Sequence, residues 1–374
     1  MTRLYHLSKS FCIAPGHGGK LTVFVRDSGA RLQLHPWFSR VLLDLGETGT
    51  FSDEEFVAAL RRHAPEGESP IEHARLLGEL IDVGVLWTDE RWGLFEAANA
   101  GVHLEWEDHG WASAKLFHDS IVYSRFLQGD AEGWDEQVRA MEEIRDEGEG
   151  PPVVKRYPPE FERIALGAPH DPLTRNFGEV LHGRRTCRVF DGERPVTRAS
   201  LASVLFHAAK AQESTHNRFF GPHIKRTSPS GGSRHPVEIY PQVFDSPDGL
   251  DGSFYYDFVE HCLVRLGDAD RGLMYELCQK QAALERNFVV FLVSVRFVRH
   301  YWKYRYPKSY LFALFDVGHL VQTLILVCEA LGLRCFLTPA LDVAGAQRHL
   351  GLDNIYDECP VYFLAAGHSP PERR

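Results

Sequence analysis

The stretch Arg226-Thr227-Ser228-Pro229-Ser230-Gly231-Gly232-Ser233-Arg234-His235-Pro236-Val237-Glu238 runs from small polar residues directly into an apolar, β-rich segment. Its serines and adjacent glycines leave backbone N–H groups open to close approach by an anion or a flat polar ring. The spacing fits neither the P-loop nor the dinucleotide-binding fingerprint. A plain turn is the simplest reading, yet a loop of this composition leading into a strand is also where ligand contacts concentrate. Outward from it, 237–243 and 288–295 read as strands, while 198–211, 268–283 and 310–331 follow a helical period. Helices separated by such runs predict an α+β domain.

The N-terminal part has a different texture. Residues 21–25 and 31–34 alternate apolar and polar around Asp27-Ser28-Gly29, a hairpin signal. Residues 37–45 have helical spacing. Ser52-Asp53-Glu54-Glu55 predicts a capping box at the start of a second helix. A third helix at 71–83 ends at Gly84, before the apolar pair Val85-Leu86. This order predicts a small winged-helix-like module within residues 1–95. A helical connector at 96–160 contains the charged helix face of 137–147 and the breaker cluster Gly148-Glu149-Gly150-Pro151-Pro152, which reads as a linker. The larger domain is expected over 161–374.

Charge and composition exclude several functions. A formal charge of −10 opposes general attraction to phosphate backbones, and the helix at 71–83 is not basic, so nucleic acid is not an expected partner. His103, His109 and His118 fit no common zinc spacing, and no metal is expected. The seven cysteines (Cys12, Cys187, Cys262, Cys278, Cys328, Cys335 and Cys359) are scattered and odd in number, which predicts reduced thiols and a cytoplasmic setting. The apolar stretch 311–333 is interrupted by Asp316, His319, Gln322 and Glu329. It reads as a buried helix, and no membrane association is expected.

Three further features carry chemistry. Arg184-Arg185-Thr186-Cys187-Arg188-Val189-Phe190 places three guanidiniums and a hydroxyl where they can bind a phosphate, or where they form a solvated basic turn. His300-Tyr301-Trp302-Lys303-Tyr304-Arg305-Tyr306 is either a cation–π surface cluster or a source of a proton-accepting group, provided burial or a cation brings a pKa toward neutrality. His319 follows Gly318 in the long helix and is read either as hydrogen-bonded in the core or as lining a substrate pocket.

In order, RRTCRVF (184–190), SPSGGSRHPVEIY (228–240), FDVGHLVQTLILVCEALGL (315–333) and LTPALD (337–342) resemble the motifs of SagB-type dehydrogenases, the thiazole- and oxazole-forming branch of the nitroreductase-like FMN superfamily. The resemblance spans about 177–367. It implies a nitroreductase-like domain with a central mixed or antiparallel sheet flanked by helices, FMN as cofactor, and a homodimer. It assigns Arg184, Arg185 and Thr186 to the flavin phosphate and ribityl chain, with Arg188 supporting the turn. Pro229, Ser230, Gly231 and Gly232 form the loop along the pyrimidine edge. Thr338, Pro339, Ala340 and Leu341 lie against the ring, and Gln322 is on the helix lining the site. Lys303 and Tyr304 match the Lys-Tyr pair that azoline dehydrogenases require. Thr186, Ser233 and Asp316 stand where the family more often has Ser, Ala and Glu, departures that bear on individual contacts.

The implied reaction removes a carbon-bound proton and a hydride from a thiazoline or oxazoline in a ribosomally made, modified precursor peptide, with a cyclodehydratase as partner and dioxygen as final acceptor. Residues 21–87 resemble the PqqD-like element in which a leader peptide adds a strand to a sheet edge. Two rival readings are a nicotinamide-dependent nitro or quinone reductase, and a flavin-free peptide-binding subunit.

Overall fold

The computed structural model describes residues 3–8, 11–25, 30–65, 73–99, 106, 108–121 and 131–371. The chain divides into two compact units, Met1–Gly129 and Asp130–Arg374. The division falls inside the span expected as a connector.

The first unit contains β1 (Leu4–Leu7), β2 (Phe11–Pro15), β3 (Leu21–Val25), β4 (Arg31–Leu34), α1 (Pro36–Thr48), β5 (Thr50–Ser52), α2 (Asp53–His63), α3 (His73–Val83), β6 (Leu86–Thr88), α4 (Asp89–Asn99) and α5 (Ala112–Ile121). The capping box forms: Ser52 N–H donates to Glu55 Oε2 at 2.7 Å and Glu55 N–H donates to Ser52 Oγ at 3.3 Å. The two strands of the expected hairpin pair, but they belong to a three-stranded sheet β2-β3-β4, and β6 instead joins β5-β1-β6. The closing strand thus pairs with a chain start that alternation alone did not reveal. The turn at 27–29 and His103 lie outside the described residues. His109 and His118 are exposed.

The second unit is built on a seven-stranded sheet of order β14-β15-β13-β10-β11-β12-β7. Its strands are β7 (Arg163–Ala165), β10 (Val237–Val243), β11 (Gly252–Asp257), β12 (Cys262–Gly267), β13 (Val289–Arg296), β14 (Arg334–Thr338) and β15 (Glu358–Gly367); β8 (Glu213–Asn217) and β9 (Gly221–Lys225) form a separate hairpin. All named pairings in the large sheet are antiparallel, with one parallel bridge at its edge, Thr186 to Cys335. The helices are α6 (Ala131–Asp146), α7 (Phe177–Gly183), α8 (Arg198–Ala209), α9 (Arg271–Leu277), α10 (Val298–Tyr301), α11 (Ser309–Ala330) and α12 (Val343–His349).

Every residue of β10 is buried, because the strand is covered on both faces, which is why its apolar run hardly alternates. Val237, Ile239 and Val243 join a core with α8 and α11, whereas Tyr240 faces a second core with Met274, Leu277 and Ala346 from α9 and α12. The helix α11 is long and apolar enough to cross a membrane by length and composition, but eleven of its residues are buried here, including Val317, Leu320, Val321, Leu324 and Cys328 in the first core. Each such aliphatic side chain contributes about 1.5–3 kcal/mol on burial. The helix expected over 268–283 stops at Leu277. Gln279 and Lys280 both adopt φ of 56°, and a helix cannot continue through two left-handed residues.

Candidate active site

The loop before β10 is backbone-strained and tightly tied. Gly232, Ser233 and His235 have φ of 57°, 55° and 43°. Such positions cost on the order of 1–3 kcal/mol each for residues other than glycine and gather at functional sites. Ser233 Oγ and His235 Nε2 both donate to the Ile224 carbonyl in β9, the latter at 2.6 Å. Burial first, and Arg226 second, push the His235 imidazole down to about 3, so it stays neutral.

Asp316, buried on α11, organises the same loop. Its Oδ2 accepts from Ser230 Oγ at 2.5 Å, its Oδ1 accepts from Gly231 N–H at 3.3 Å, and His300 Nε2 lies 3.4 Å from Oδ2. In the sequence Asp316 stands out only as a break in the apolar stretch and a departure from Glu, because nothing local to residue 316 points to residues 230, 231 or 300. Ser228 Oγ donates to Thr323 Oγ1 at 2.7 Å, a second tie to α11.

The Lys-Tyr pair packs against this loop. A Cβ at Gly231 would lie 3.1 Å from His300 Cε1, and one at Gly232 would lie 2.6 Å from Lys303 Nζ and overlap the Tyr304 hydroxyl. Neither side chain is a surface ornament: both are half-buried. Lys303 Nζ sits 4.2 Å from the Phe220 ring centroid. Burial, and then the Arg234 guanidinium, lower Lys303 to about 8, whereas burial raises Tyr304 to about 12 with a further push from Tyr306. Burial thus moves the amine toward neutrality and the phenol away from it.

A buried ion network anchors the turn that carries the pair. Arg299 on α10 is fully buried and donates to Glu238 Oε1 at 2.5 Å, to the His235 carbonyl at 2.8 Å and to the Pro152 carbonyl at 2.9 Å. Burial is the largest influence and opposes the guanidinium charge, but Glu238, Tyr255 and Glu358 together raise Arg299. Arg234, also buried, lies over Trp302 with 5.1 Å to the ring centroid. In the Gly148–Pro152 cluster, read as a linker, Gly148, Glu149 and Pro152 are exposed, whereas Gly150 packs here: a Cβ on it would lie 2.8 Å from Trp302; just before the cluster, Glu147 holds Arg305 through two 2.6 Å contacts.

The arginine turn lies elsewhere on the same unit. Arg184 caps α7, and the Cys187 N–H donates to the Cys335 carbonyl of β14 at 2.8 Å. Arg185 Nη1 is spent on the carbonyls of His182 and Arg184, at 2.7 and 2.8 Å. Among the described residues, the Arg184 and Arg188 guanidiniums have no hydrogen-bonded partner, and this donor set suits a phosphate. Thr186 is exposed beside β14; at the strand's other end Thr338 Oγ1 accepts from Ala340 N–H at 3.1 Å, Pro339 is exposed and Leu341 packs on the second core. The structure therefore gathers 184–188 and 338–341 along one edge strand, and 229–232 with Lys303 and Tyr304 at the first half of α11. Gly183 meets α11 at Glu329, thirteen residues beyond Asp316 or roughly 20 Å along the helix. Gln322 lies between the two groups on an exposed face. His319, expected in the core or in a pocket wall, is 48% exposed on that face, 3.9 Å from Asp316, because Gly318 and His319 fall on the side of α11 away from the sheet.

The profile of the nitroreductase family matches residues 181–368, half of the chain, including the arginine turn, the glycine loop, the Lys-Tyr pair and α11. The chain belongs to the nitroreductase family. It is 29% identical over 175 residues to the trifolitoxin-processing protein TfxB of Rhizobium leguminosarum bv. trifolii, covering 45% of this chain and 47% of that one. This nitroreductase-family chain thus spans about half the length of that relative. It is 30% identical over 160 residues to a Methanocaldococcus jannaschii protein whose name places it among nitroreductases, MJ1384, covering 41% of this chain and 74% of that one. A chain of the E. coli microcin synthetase McbBCD complex, solved with truncated pro-MccB17 bound, aligns at 17% identity and a TM-score of 0.42, over 64% of this chain and 93% of that one. The arginine turn, with the Arg184 and Arg188 donors, fits a phosphate-bearing group, while the side of Gly231 and Gly232 that a Cβ would take is filled by His300, Lys303 and Tyr304.

Proposed function

We propose that the protein is an FMN-dependent dehydrogenase that matures a ribosomally synthesised peptide by oxidising thiazoline or oxazoline rings to thiazoles or oxazoles. The observation that carries the reading is the packing of Lys303 and Tyr304 against the Gly231-Gly232 backbone, since it joins a proton-accepting amine to the loop assigned to the flavin ring. Similarity to a trifolitoxin-processing protein supports a peptide as the substrate. Arg184 and Arg188 would hold the phosphate of FMN, with Thr186 beside them, and Pro229 to Gly232 and Pro339 to Leu341 would flank its ring. Bound FMN supplies a two-electron acceptor.

The neutral Lys303 amine takes the carbon-bound proton of the azoline as hydride departs from the adjacent carbon, so the ring loses two hydrogens and becomes aromatic. Tyr304 remains protonated and donates a hydrogen bond. Dioxygen is the final acceptor of the electron pair. A homodimer is supported by the exposed Phe315, His319 and Gln322 face of α11. The exposed edge strand β4 supports leader-peptide recognition by the first unit, and a cyclodehydratase would supply the azoline.

The test is to purify the protein, identify any released cofactor by mass spectrometry, and follow azoline peptides by mass for the loss of two hydrogens. Bound FMN with peptide oxidation supports the proposal. Rapid flavin reduction by a nicotinamide with no action on peptide would replace it with a nitro or quinone reductase, the reading favoured by similarity to MJ1384. Protein that neither contains nor takes up FMN would replace it with a binding subunit.

A further inference from the structure

Beside Trp302, the second unit holds a cavity of about 950 Å³. One wall is the segment 148–156, which supplies Pro151, Pro152, Val153 and Val154, and another is the β8–β9 hairpin. The hairpin register pairs Ser214 with Ile224 and His216 with Pro222, and all four residues line the cavity. One face of the hairpin is therefore turned to the cavity, and Glu213, Thr215, His223 and Lys225 take the other face by alternation. The hairpin pairs only with itself, and of its strand residues Ile224 alone is buried, so it lies over the cavity as a separate layer.

The cavity comes within one aromatic ring of the Lys-Tyr pair. Phe219 and Phe220, at the hairpin tip, line it with Trp302. Phe220 stands edge-on to Trp302 at 5.7 Å between centroids, and the Lys303 amine lies 4.2 Å from the Phe220 ring. The volume falls within the range of small-ligand sites; charged residues such as Lys155, Arg163 and Asp257 line part of it, while Pro151, Val153, Phe220 and Trp302 form a part that suits an apolar or aromatic side chain.

We infer that this cavity seats the apolar residue flanking the ring to be oxidised, with the β8–β9 hairpin as its flap. The inference rests on the dehydrogenase reading above. Its commitment is to a peptide neighbour, so a lone azoline should ignore the cavity and a flanked azoline should need it.

Ser214→Trp and His216→Trp fill the cavity from the inner hairpin face, and Thr215→Trp adds the same bulk to the outer face. The assay measures kcat and KM, with dioxygen as acceptor, on two synthetic probes: a thiazoline carrying only acyl and amide caps, and the same thiazoline flanked by Phe or Leu on both sides. KM for the flanked probe should rise about tenfold in both inner-face variants, the equivalent of one step in binding free energy of about 1.4 kcal/mol. The capped probe should be unaffected, and Thr215→Trp should match wild type on both. Equal losses on both probes, no change on the flanked one, or the same effect from Thr215→Trp would overturn the assignment. FMN-loaded wild-type protein inert on both probes would fail the dehydrogenase reading, and this inference with it.

Discussion

Gly232 has φ of 57°, and an added Cβ would stand 2.6 Å from Lys303 Nζ and overlap the Tyr304 hydroxyl. Gly232→Ala therefore has two separable effects. Holding alanine in the left-handed region costs about 1–2 kcal/mol, which lowers Tm by roughly 2–8 °C for a unit of this size. In addition, carbon needs about 3.5 Å from a neighbour, so the amine must retreat by about 1 Å, and a displacement of that size can cost on the order of a hundredfold in rate. Gly332 provides the control: its φ is 76° and an added Cβ would meet nothing within 4 Å. Gly332→Ala should lose similar stability while keeping kcat. Thermal unfolding, flavin content and kcat on an azoline peptide measure all three quantities. A Gly232→Ala enzyme with wild-type kcat, or a Gly332→Ala enzyme that loses as much, would refute the placement of the Lys-Tyr pair as the reacting groups.

Lys303 is lowered to about 8 by burial and Arg234, and its base form is the neutral one, so the rate should fall as pH drops through about 8. Lys303→Met should remove that limb and about 10²–10⁴ in kcat; a flat wild-type profile in that region would contradict the role. Tyr304, pushed up to about 12, stays protonated, so Tyr304→Phe should lower kcat yet keep the limb near 8. Glu238→Gln leaves the buried Arg299 charge without its carboxylate and should cost about 3–5 kcal/mol in urea unfolding; a loss under about 1 kcal/mol, the size of an exposed pair, would show that the network is not a closed ion pair. Arg184→Ala or Arg188→Ala should each weaken FMN binding at least tenfold, from the loss of a charge-assisted bond of about 1.5–3 kcal/mol, and an unchanged flavin titration would remove the phosphate role.

Strands and helices with strong local signals were legible in the sequence. The Ser52 capping box, the run at 237–243 and the long helix α11 follow from hydrogen-bonding groups or apolar periods contained within a few residues. Strands β1, β2 and β5 were not, because they are three to five residues long and stabilised by pairing with distant partners. The break after Leu277 was hidden as well, since the helical period of 268–283 says nothing about the φ of Gln279 and Lys280.

The same division holds at the site. The sequence by itself determined which chemical groups are available: guanidiniums at 184–188, an open glycine backbone at 231–232, and an amine and a phenol at 303–304. Tertiary structure alone decided that the amine abuts the glycines, that Asp316 ties Ser230, Gly231 and His300 together, and that burial drives the Lys303 and Tyr304 pKa values apart while Arg234 lowers both. The physical reason is that proton affinity depends on desolvation and on charges within a few ångströms, and those neighbours come from residues some seventy positions away in the chain.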